Sequence, residues 1–179
     1  MEEQSFSGRI NKKGGVGMET ICSLISDNTV YPILIKNDGK AYLTLFYYTE
    51  RSDSVLHKNN ILYFSSEEEM SLFCRKYGLK QEGGISEYDF DTPILNPVDY
   101  RRVLENWNLL NTISATFGMF FEGNLKKYTS LYDLLFRLDT ASEPILPKYN
   151  VKEKYLSYLL KIFKKKNRLL ERFELYREK

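Results

Sequence analysis

Apolar and polar positions alternate through the first half of the chain in the way that strands do. Two runs rich in Ile, Leu, Tyr and Phe, residues 31–36 and 41–49, are separated by the tripeptide Asn37-Asp38-Gly39. Asn, Asp and Gly adopt the positive φ angles that a tight hairpin turn requires. The pattern therefore predicts an antiparallel hairpin.

Three further segments have the composition of strands. Residues 6–10 and 18–24 are predicted to pair across a glycine turn, and residues 61–64 form another short strand. Together with the hairpin they give a sheet of about five strands. Pro32 has no backbone N–H, which predicts that its strand begins there or lies at an edge.

From residue 66 onward the apolar spacing becomes helical. Ser66 followed by Glu69 is a capping box, and Gly78 offers a left-handed end to that helix. Asn96-Pro97 and Asp99 predict the start of a long second helix. Gly118 ends that helix, and Trp107 on its apolar side is expected in the core.

The last third of the chain reads as helical. Residues 130–138 form a shorter helix, the Pro-rich segment 144–147 is a linker, and residues 151–179 carry the apolar stripe of a final helix. The predicted fold class is α+β: an antiparallel sheet of about five strands with a packed helix, then a helical half. We divide the chain into a body, 1–150, and a basic amphipathic helix, 151–179, packed on it or appended to it.

Composition narrows the class of protein. The chain has 179 residues, of which 42% are apolar and 15% aromatic, which predicts a globular core. It has no apolar run long enough to span a bilayer, and its acidic first residues do not resemble a secretory signal, so we expect a cytoplasmic protein. Cys22 and Cys74 each lack a neighbouring Cys or His, which favours two buried apolar residues over a metal or redox site.

Two candidate reaction sites are weak. Lys13-Gly14-Gly15-Val16-Gly17 resembles the start of a phosphate-binding loop, but Met18 and Glu19 replace the Lys and the Ser or Thr that phosphates and magnesium require. His57 lies in a polar stretch and Cys74 in an apolar helix stripe, which disfavours a Cys-His catalytic pair. We therefore predict no enzyme activity and no cofactor.

The most unusual segment is acidic. Residues 81–100 contain no Lys or Arg, and charged and aromatic residues alternate in 87–91, which places three carboxylates on one side of an extended chain. A solvated loop, a patch that binds a basic protein surface and an Asp-x-Asp metal site remain open. The candidate partner-binding residues are Glu82, Glu87, Tyr88, Asp89, Phe90 and Asp91.

The end of the chain is basic. Residues 152–179 hold ten Lys or Arg against four Asp or Glu, and a single helix would place Lys161, Lys165, Arg168 and Arg172 on one side. Such a side is either solvated or binds a polyanion such as nucleic acid.

Several spaced aromatic and acidic motifs between residues 30 and 150 resemble immunity proteins of bacterial contact-dependent inhibition and related polymorphic toxin systems. The motifs are 61–69, Phe73-Cys74, 88–91, 96–100, 104–109 and 131–136. The resemblance implies a cytosolic, non-catalytic protein that binds and blocks a toxic domain, often a nuclease. The segment after residue 150 departs from that pattern.

The resemblance and the residue chemistry agree on one point. A nuclease needs a cationic cleft for phosphates, and an inhibitor must place carboxylates there. We therefore expect an immunity protein that covers the basic active-site surface of its toxin; the alternative is a nucleic-acid-binding module that uses the C-terminal basic residues.

Overall fold

The α+β fold class is confirmed in a computed structural model that describes residues 17–141 and 148–177. The strands are β1 (Thr29–Asn37), β2 (Lys40–Tyr48), β3 (Asp53–Val55), β4 (Ile61–Tyr63), β5 (Lys80–Gln81), β6 (Ser86–Asp89), β7 (Val98–Asp99), β8 (Lys148–Tyr149) and β9 (Phe173–Leu175). The helices are α1 (Met18–Cys22), α2 (Glu67–Lys76), α3 (Tyr100–Phe117), α4 (Thr129–Asp139), α5 (Glu153–Lys164) and α6 (Asn167–Leu170).

The predicted hairpin is confirmed and forms the centre of the main sheet. β1 and β2 pair antiparallel, with Ile33 opposite Thr44. Asp38 and Gly39 in the turn have φ angles of 53° and 70°. Both lie in the left-handed region, which Gly enters without a steric penalty and Asp tolerates.

The main sheet has five strands, but only the hairpin comes from the segments predicted for it. Its order is β3-β2-β1-β5, and β6 also pairs with β1. Both β5 and β6 run parallel to β1, so the sheet is mixed. β4 lies outside this sheet, in a parallel pair with β9. The predicted strand 6–10 lies outside the described residues.

Two local strand predictions are wrong. Residues 18–22 form helix α1, because Met18, Ile21 and Cys22 are spaced by three and one and are buried on the same side. Pro32 lies within β1, which begins at Thr29. β5 pairs with residues 29–30 and β6 with residues 33–36, so Pro32 faces the break between the two partner strands.

The sheet separates two hydrophobic clusters. Ile33 and Ile35 of β1 pack in the cluster that includes Trp107 of α3, which confirms the core position expected for the tryptophan. Val30 of β1 packs in the second cluster, with residues of α1 and α2. Alternate residues of one strand thus supply both cores.

The α2 prediction is confirmed. The Ser66 hydroxyl accepts the backbone N–H of Glu69, and Gly78, with φ of 65°, follows the helix end. The start of α3 is corrected: Asp99, and not Asn96, is the cap, because its carboxylate accepts the N–H of Arg102. Asn96 instead bonds the backbone of Val151 through both amide atoms.

The predicted end of α3 at Gly118 is confirmed, and α4 confirms the helix predicted over 130–138. Residues 144–147 lie outside the described ranges. The single helix predicted over 151–179 is wrong, because the chain turns after Lys164 and ends in α6 and β9.

The C-terminal segment is packed on the body and belongs to the same core. Leu159 and Ile162 of α5 and Leu170 of α6 lie in the Trp107 cluster. Within the described ranges, no helix is both long and apolar enough to cross a bilayer.

Candidate partner-binding surface

The acidic segment, residues 82–91, is called the acidic ribbon below, and most of it is a sheet edge. Among the strands of residues 17–141 and 148–177, β6 pairs with β1 alone, with Glu87 opposite Leu34 and Asp89 opposite Lys36. A parallel strand pair holds its members in fixed register, so the carboxylates occupy defined positions. An edge strand also carries charged residues that discourage further strand pairing.

Lys36 of β1 interacts electrostatically with three carboxylates of the acidic ribbon. Its ammonium donates to Oε1 of Glu87 at 2.7 Å. That hydrogen bond raises the pKa of Lys36, and the charges of Glu87, Asp89 and Asp91 raise it further. Glu87 thus makes the direct contact, and Asp89 and Asp91 add negative charge near the same ammonium, with the Arg102 guanidinium as a second cation beside Asp89.

Asp91 connects the acidic ribbon to the hairpin turn. Its two carboxylate oxygens accept the backbone N–H groups of Asp38 at 2.6 Å and Gly39 at 3.1 Å. This bond pair fixes the end of the ribbon, so Asp91 has a structural task as well as an exposed charge.

Asp89 is held ionised by a local hydrogen-bond network. Its side chain accepts the N–H groups of Asp91 and Thr92 and the hydroxyl of Thr92. Burial opposes ionisation, but these bonds, with the nearby charge of Arg102, outweigh it and lower the pKa of Asp89. The backbone carbonyl of Asp89 accepts from Asn106 at 2.7 Å.

Glu82 lies at the other end of the ribbon and faces solvent. It accepts from the ammonium of Lys80 at 2.6 Å, and both side chains are substantially exposed. An ion pair between exposed groups contributes little to folding. Glu82 and Glu87 are therefore the ribbon carboxylates whose contacts are confined to surface lysines.

The two aromatic residues of the ribbon face inward. Tyr88 is half-buried opposite Ile35, and burial, followed by the charge of Glu105, raises the pKa of its phenol. Phe90 is only 6% exposed, and its ring centroid lies 6.3 Å from that of Phe163. Phe90 is thus a core residue, which corrects its expected role as a surface contact.

The candidate polyanion surface is not continuous. Lys161 lies on α5 and Arg168 on α6, and Lys165 caps the end of α5 and pairs with Glu122. Arg172 lies before β9 with its guanidinium over the ring of Phe117, 5.5 Å from the centroid. The turn after Lys164 therefore separates four residues that one straight helix would align.

The other candidate reaction sites have ordinary partners. The Nδ1 of His57 donates to the carbonyl oxygen of Val55 at 2.7 Å, since a carbonyl can only accept. The Cys74 thiol accepts from the Gln81 amide at 3.2 Å, and burial raises its pKa. Both cysteines are buried and free, as expected.

The remaining sequence candidates concern phosphate and metal. Residues 13–16 of the glycine loop lie outside the described ranges. In the part of the chain that the structure describes, no three His, Cys, Asp or Glu side chains are grouped to hold a metal ion.

Several residues of this surface had no signal in the sequence. The sequence around Lys36 predicts only a strand residue, because its carboxylate partners lie 51 or more residues later in the chain. Arg102 donates to the carbonyl oxygens of Asp89 and Thr92, and Asn106 to that of Asp89. The pairing of β6 with β1 brings Lys36 to its carboxylate partners, and the packing of α3 beside β6 brings Arg102 and Asn106 to the ribbon carbonyls.

Comparison with known proteins identifies a similar fold only. No known protein family matches the chain, and no curated protein matches its sequence. The crystal structure of the SatS C-terminal domain in complex with bromine is similar, with a TM-score of 0.54 and 14% sequence identity. The match covers 84% of this chain and 95% of that domain. At this identity the likeness shows a shared fold and nothing about activity.

Proposed function

We propose that this chain is an immunity protein of a bacterial contact-dependent inhibition or related polymorphic toxin system. It acts in the cytoplasm by binding a cognate toxin domain, a nuclease in this proposal, without catalysing a reaction. The observation that carries the proposal is the fixed strand β6, in which Glu87 pairs with Lys36 at 2.7 Å and Asp89 and the following Asp91 add negative charge near the same ammonium.

The geometry supports a charge-based contact. A nuclease surface that grips phosphates carries several cations, and rigid carboxylates can replace those phosphates. The Asp91 bonds to the hairpin and the Asp89 network hold the ribbon before any partner arrives. Preorganised charges reduce the ordering cost of binding and speed encounter.

The role of the aromatic residues is revised in this proposal. Phe90 and the buried part of Tyr88 anchor the ribbon to the core beneath it. The carboxylates of Glu82, Glu87 and Asp91 are then the groups offered to the toxin.

The experiment uses the C-terminal domain of the protein encoded by the neighbouring upstream reading frame, which the proposal expects to be the toxin, in a variant lacking nuclease activity. The double variant Glu82→Gln/Glu87→Gln removes two charges whose partners are surface lysines, so it is expected to fold normally. We expect at least about tenfold weaker toxin binding and a shallower dependence of affinity on salt.

The matched control is Glu67→Gln/Glu68→Gln, which removes two exposed charges from the first turn of α2. Toxin affinity of that variant should equal the wild type. Equal affinity and equal salt dependence in the ribbon variant would exclude the ribbon from the toxin contact, and toxin that never binds the wild type would exclude the proposed function.

A further inference from the structure

A groove follows the exposed side of α5. Two cavities, of about 530 and 360 Å³, share Leu156, Leu160 and Lys164 as lining residues. The larger continues between α5 and the loop after β6, where Ile94 and Leu95 line its other side. We call these two adjoining cavities together the α5 groove.

The groove exposes apolar surface. Leu95 is 67% exposed and Leu160 is 49% exposed, while Phe90 and Phe163 line the deeper part. Single exposed leucines are ordinary, but neighbouring ones beside an open cavity mark an interaction surface.

Two exposed lysines lie on the rim of the groove. Lys161 and Lys164 are exposed on α5, three residues apart, and both follow Leu160. In the described ranges neither ammonium makes an ion pair or a hydrogen bond. Glu153, near the helix start, is the acidic member of the same rim.

Two more cations lie at the inner end of the groove. The ammonium of Lys166 donates to the carbonyl of Phe90, and Arg102 donates to the carbonyl of Thr92 at 2.8 Å. Asp89 offsets part of this charge. Positive charge nevertheless exceeds negative charge among the groove's lining residues.

We infer that the α5 groove binds an acidic amphipathic helix of a partner protein. The apolar side chains of such a helix, spaced at i, i+3, i+4 and i+7, fill the groove around Leu95, Leu156 and Leu160. Its flanking carboxylates meet Lys161 and Lys164, which have no acidic partner among the described residues. This site goes beyond the proposed toxin contact, which needs a basic partner at the acidic ribbon.

The test uses two fluorescent synthetic peptides with the same leucine spacing, one with glutamate and one with lysine at the polar positions. Fluorescence anisotropy of the full chain with each peptide measures affinity. We expect the glutamate peptide to bind and Leu160→Ser to weaken it by about tenfold. The double variant Lys161→Glu/Lys164→Glu should abolish the preference for the glutamate peptide.

Matched controls lie on other surfaces. Leu72→Ser changes a leucine of similar exposure on α2, and Lys126→Glu changes an exposed lysine outside the groove. Both should bind the glutamate peptide like the wild type. Far-ultraviolet circular dichroism checks that every variant keeps its secondary structure.

Three results would overturn the inference. One is a glutamate peptide that does not bind, and another is binding that the groove variants leave unchanged. The third is recruitment to phosphatidylglycerol vesicles that the groove variants abolish while peptide binding is unaffected, which would assign the groove to an anionic lipid surface. None of these results depends on the toxin, so failure here is distinct from failure of the proposed function.

Discussion

The carboxylate of Asp91 accepts the backbone N–H of Gly39, 52 residues earlier in the chain, at 3.1 Å. A second oxygen of the same carboxylate accepts the N–H of Asp38. The last residue of the acidic ribbon therefore supplies the hydrogen-bond acceptors for two N–H groups of the hairpin turn. Asp91, which contacts the toxin in the proposed function, therefore also stabilises the fold.

Replacing Asp91 with Ala is expected to destabilise the protein. The change removes the acceptor of two turn N–H groups, which then bond to water. Because the position is exposed, we expect the free energy of unfolding to fall by about 1 kcal/mol. Urea denaturation measures the change. Asp133→Ala, on the exposed side of α4, is the control and should have a smaller effect. Equal stability of the Asp91 variant and the wild type would show that the turn does not need this acceptor.

The Asp89 network predicts a specific acid response. Because the folded pKa of Asp89 lies below its ordinary value near about 4, the group stabilises the fold above that ordinary pKa. This contribution is lost as the pH falls through the lower folded pKa. Thr92→Val removes the hydroxyl donor, so the pKa of Asp89 should rise and the variant should lose less stability in that acidic range.

Carboxyl-carbon NMR titration of Asp89 and urea denaturation over the same acidic range measure this prediction. Thr140→Val is the matched control, because the Thr140 hydroxyl donates to the carbonyl of Phe136 and touches no carboxylate. A titration of Asp89 that is identical in the Thr92 variant and the wild type would contradict the assigned role of the hydroxyl.

Local signals predicted much of the fold. The hairpin, the capping box at Ser66 and the helix end at Gly118 each depend on residues within one turn of each other, and all three are confirmed. The parallel pairings could not be predicted in this way. β4 meets β9 across more than a hundred residues, and a strand as short as Phe173–Leu175 has no periodicity of its own.

The candidate surface was predictable only in its charges. Alternation in residues 87–91 indicated that carboxylates would share a side, and their joint effect on Lys36 agrees with that grouping. It did not show whether the aromatic residues between them face a partner or the core. Phe90 faces the core because residues of α3 and α5, from later parts of the chain, pack against it.

Gly123 is expected to tolerate no side chain. A Cβ there would lie 2.5 Å from an atom of the Phe121 ring and 2.9 Å from Cε2 of Trp107. Gly123→Ala should therefore lower the free energy of unfolding by about 1–3 kcal/mol, the usual cost of overpacking a core.

The control for this prediction is Gly84→Ala, where a Cβ would meet no atom within 4 Å. It should change stability by about 0.5 kcal/mol or less. Thermal or urea unfolding of both variants gives the comparison, and equal stabilities would show that the Phe121 and Trp107 rings move aside at little cost.

Adjacent leucines of α5 test whether the C-terminal segment folds with the body. Leu159 is fully buried in the Trp107 cluster, whereas Leu160 is largely exposed. Leu159→Ala should cost about 2–5 kcal/mol and Leu160→Ala about 0.5 kcal/mol or less. One unfolding transition that shifts as a whole in the Leu159 variant is expected. Two transitions, with only one shifted, would mean that residues 151–177 unfold separately.

The cysteines are expected to resist alkylation in the folded protein. Burial, followed by the neighbouring Cys74 thiol and the charge of Glu19, raises the pKa of Cys22 to about 11. At pH near about 8, that leaves on the order of one thiolate in a thousand molecules, and the thiolate is the reactive form. Iodoacetamide should therefore label both cysteines in urea and neither in the native state, as measured by intact mass.

Ser157→Cys supplies the positive control, because residue 157 is exposed on α5 and its thiol should react in the native protein. Native labelling of Cys22 or Cys74 at the rate of this control would mean that a thiol reaches solvent as a nucleophile. Such a result would reopen covalent chemistry at Cys74 and weaken the proposal that the protein acts by binding alone. Resistance of both thiols would instead assign them to the packing of α1 and α2 beneath the sheet.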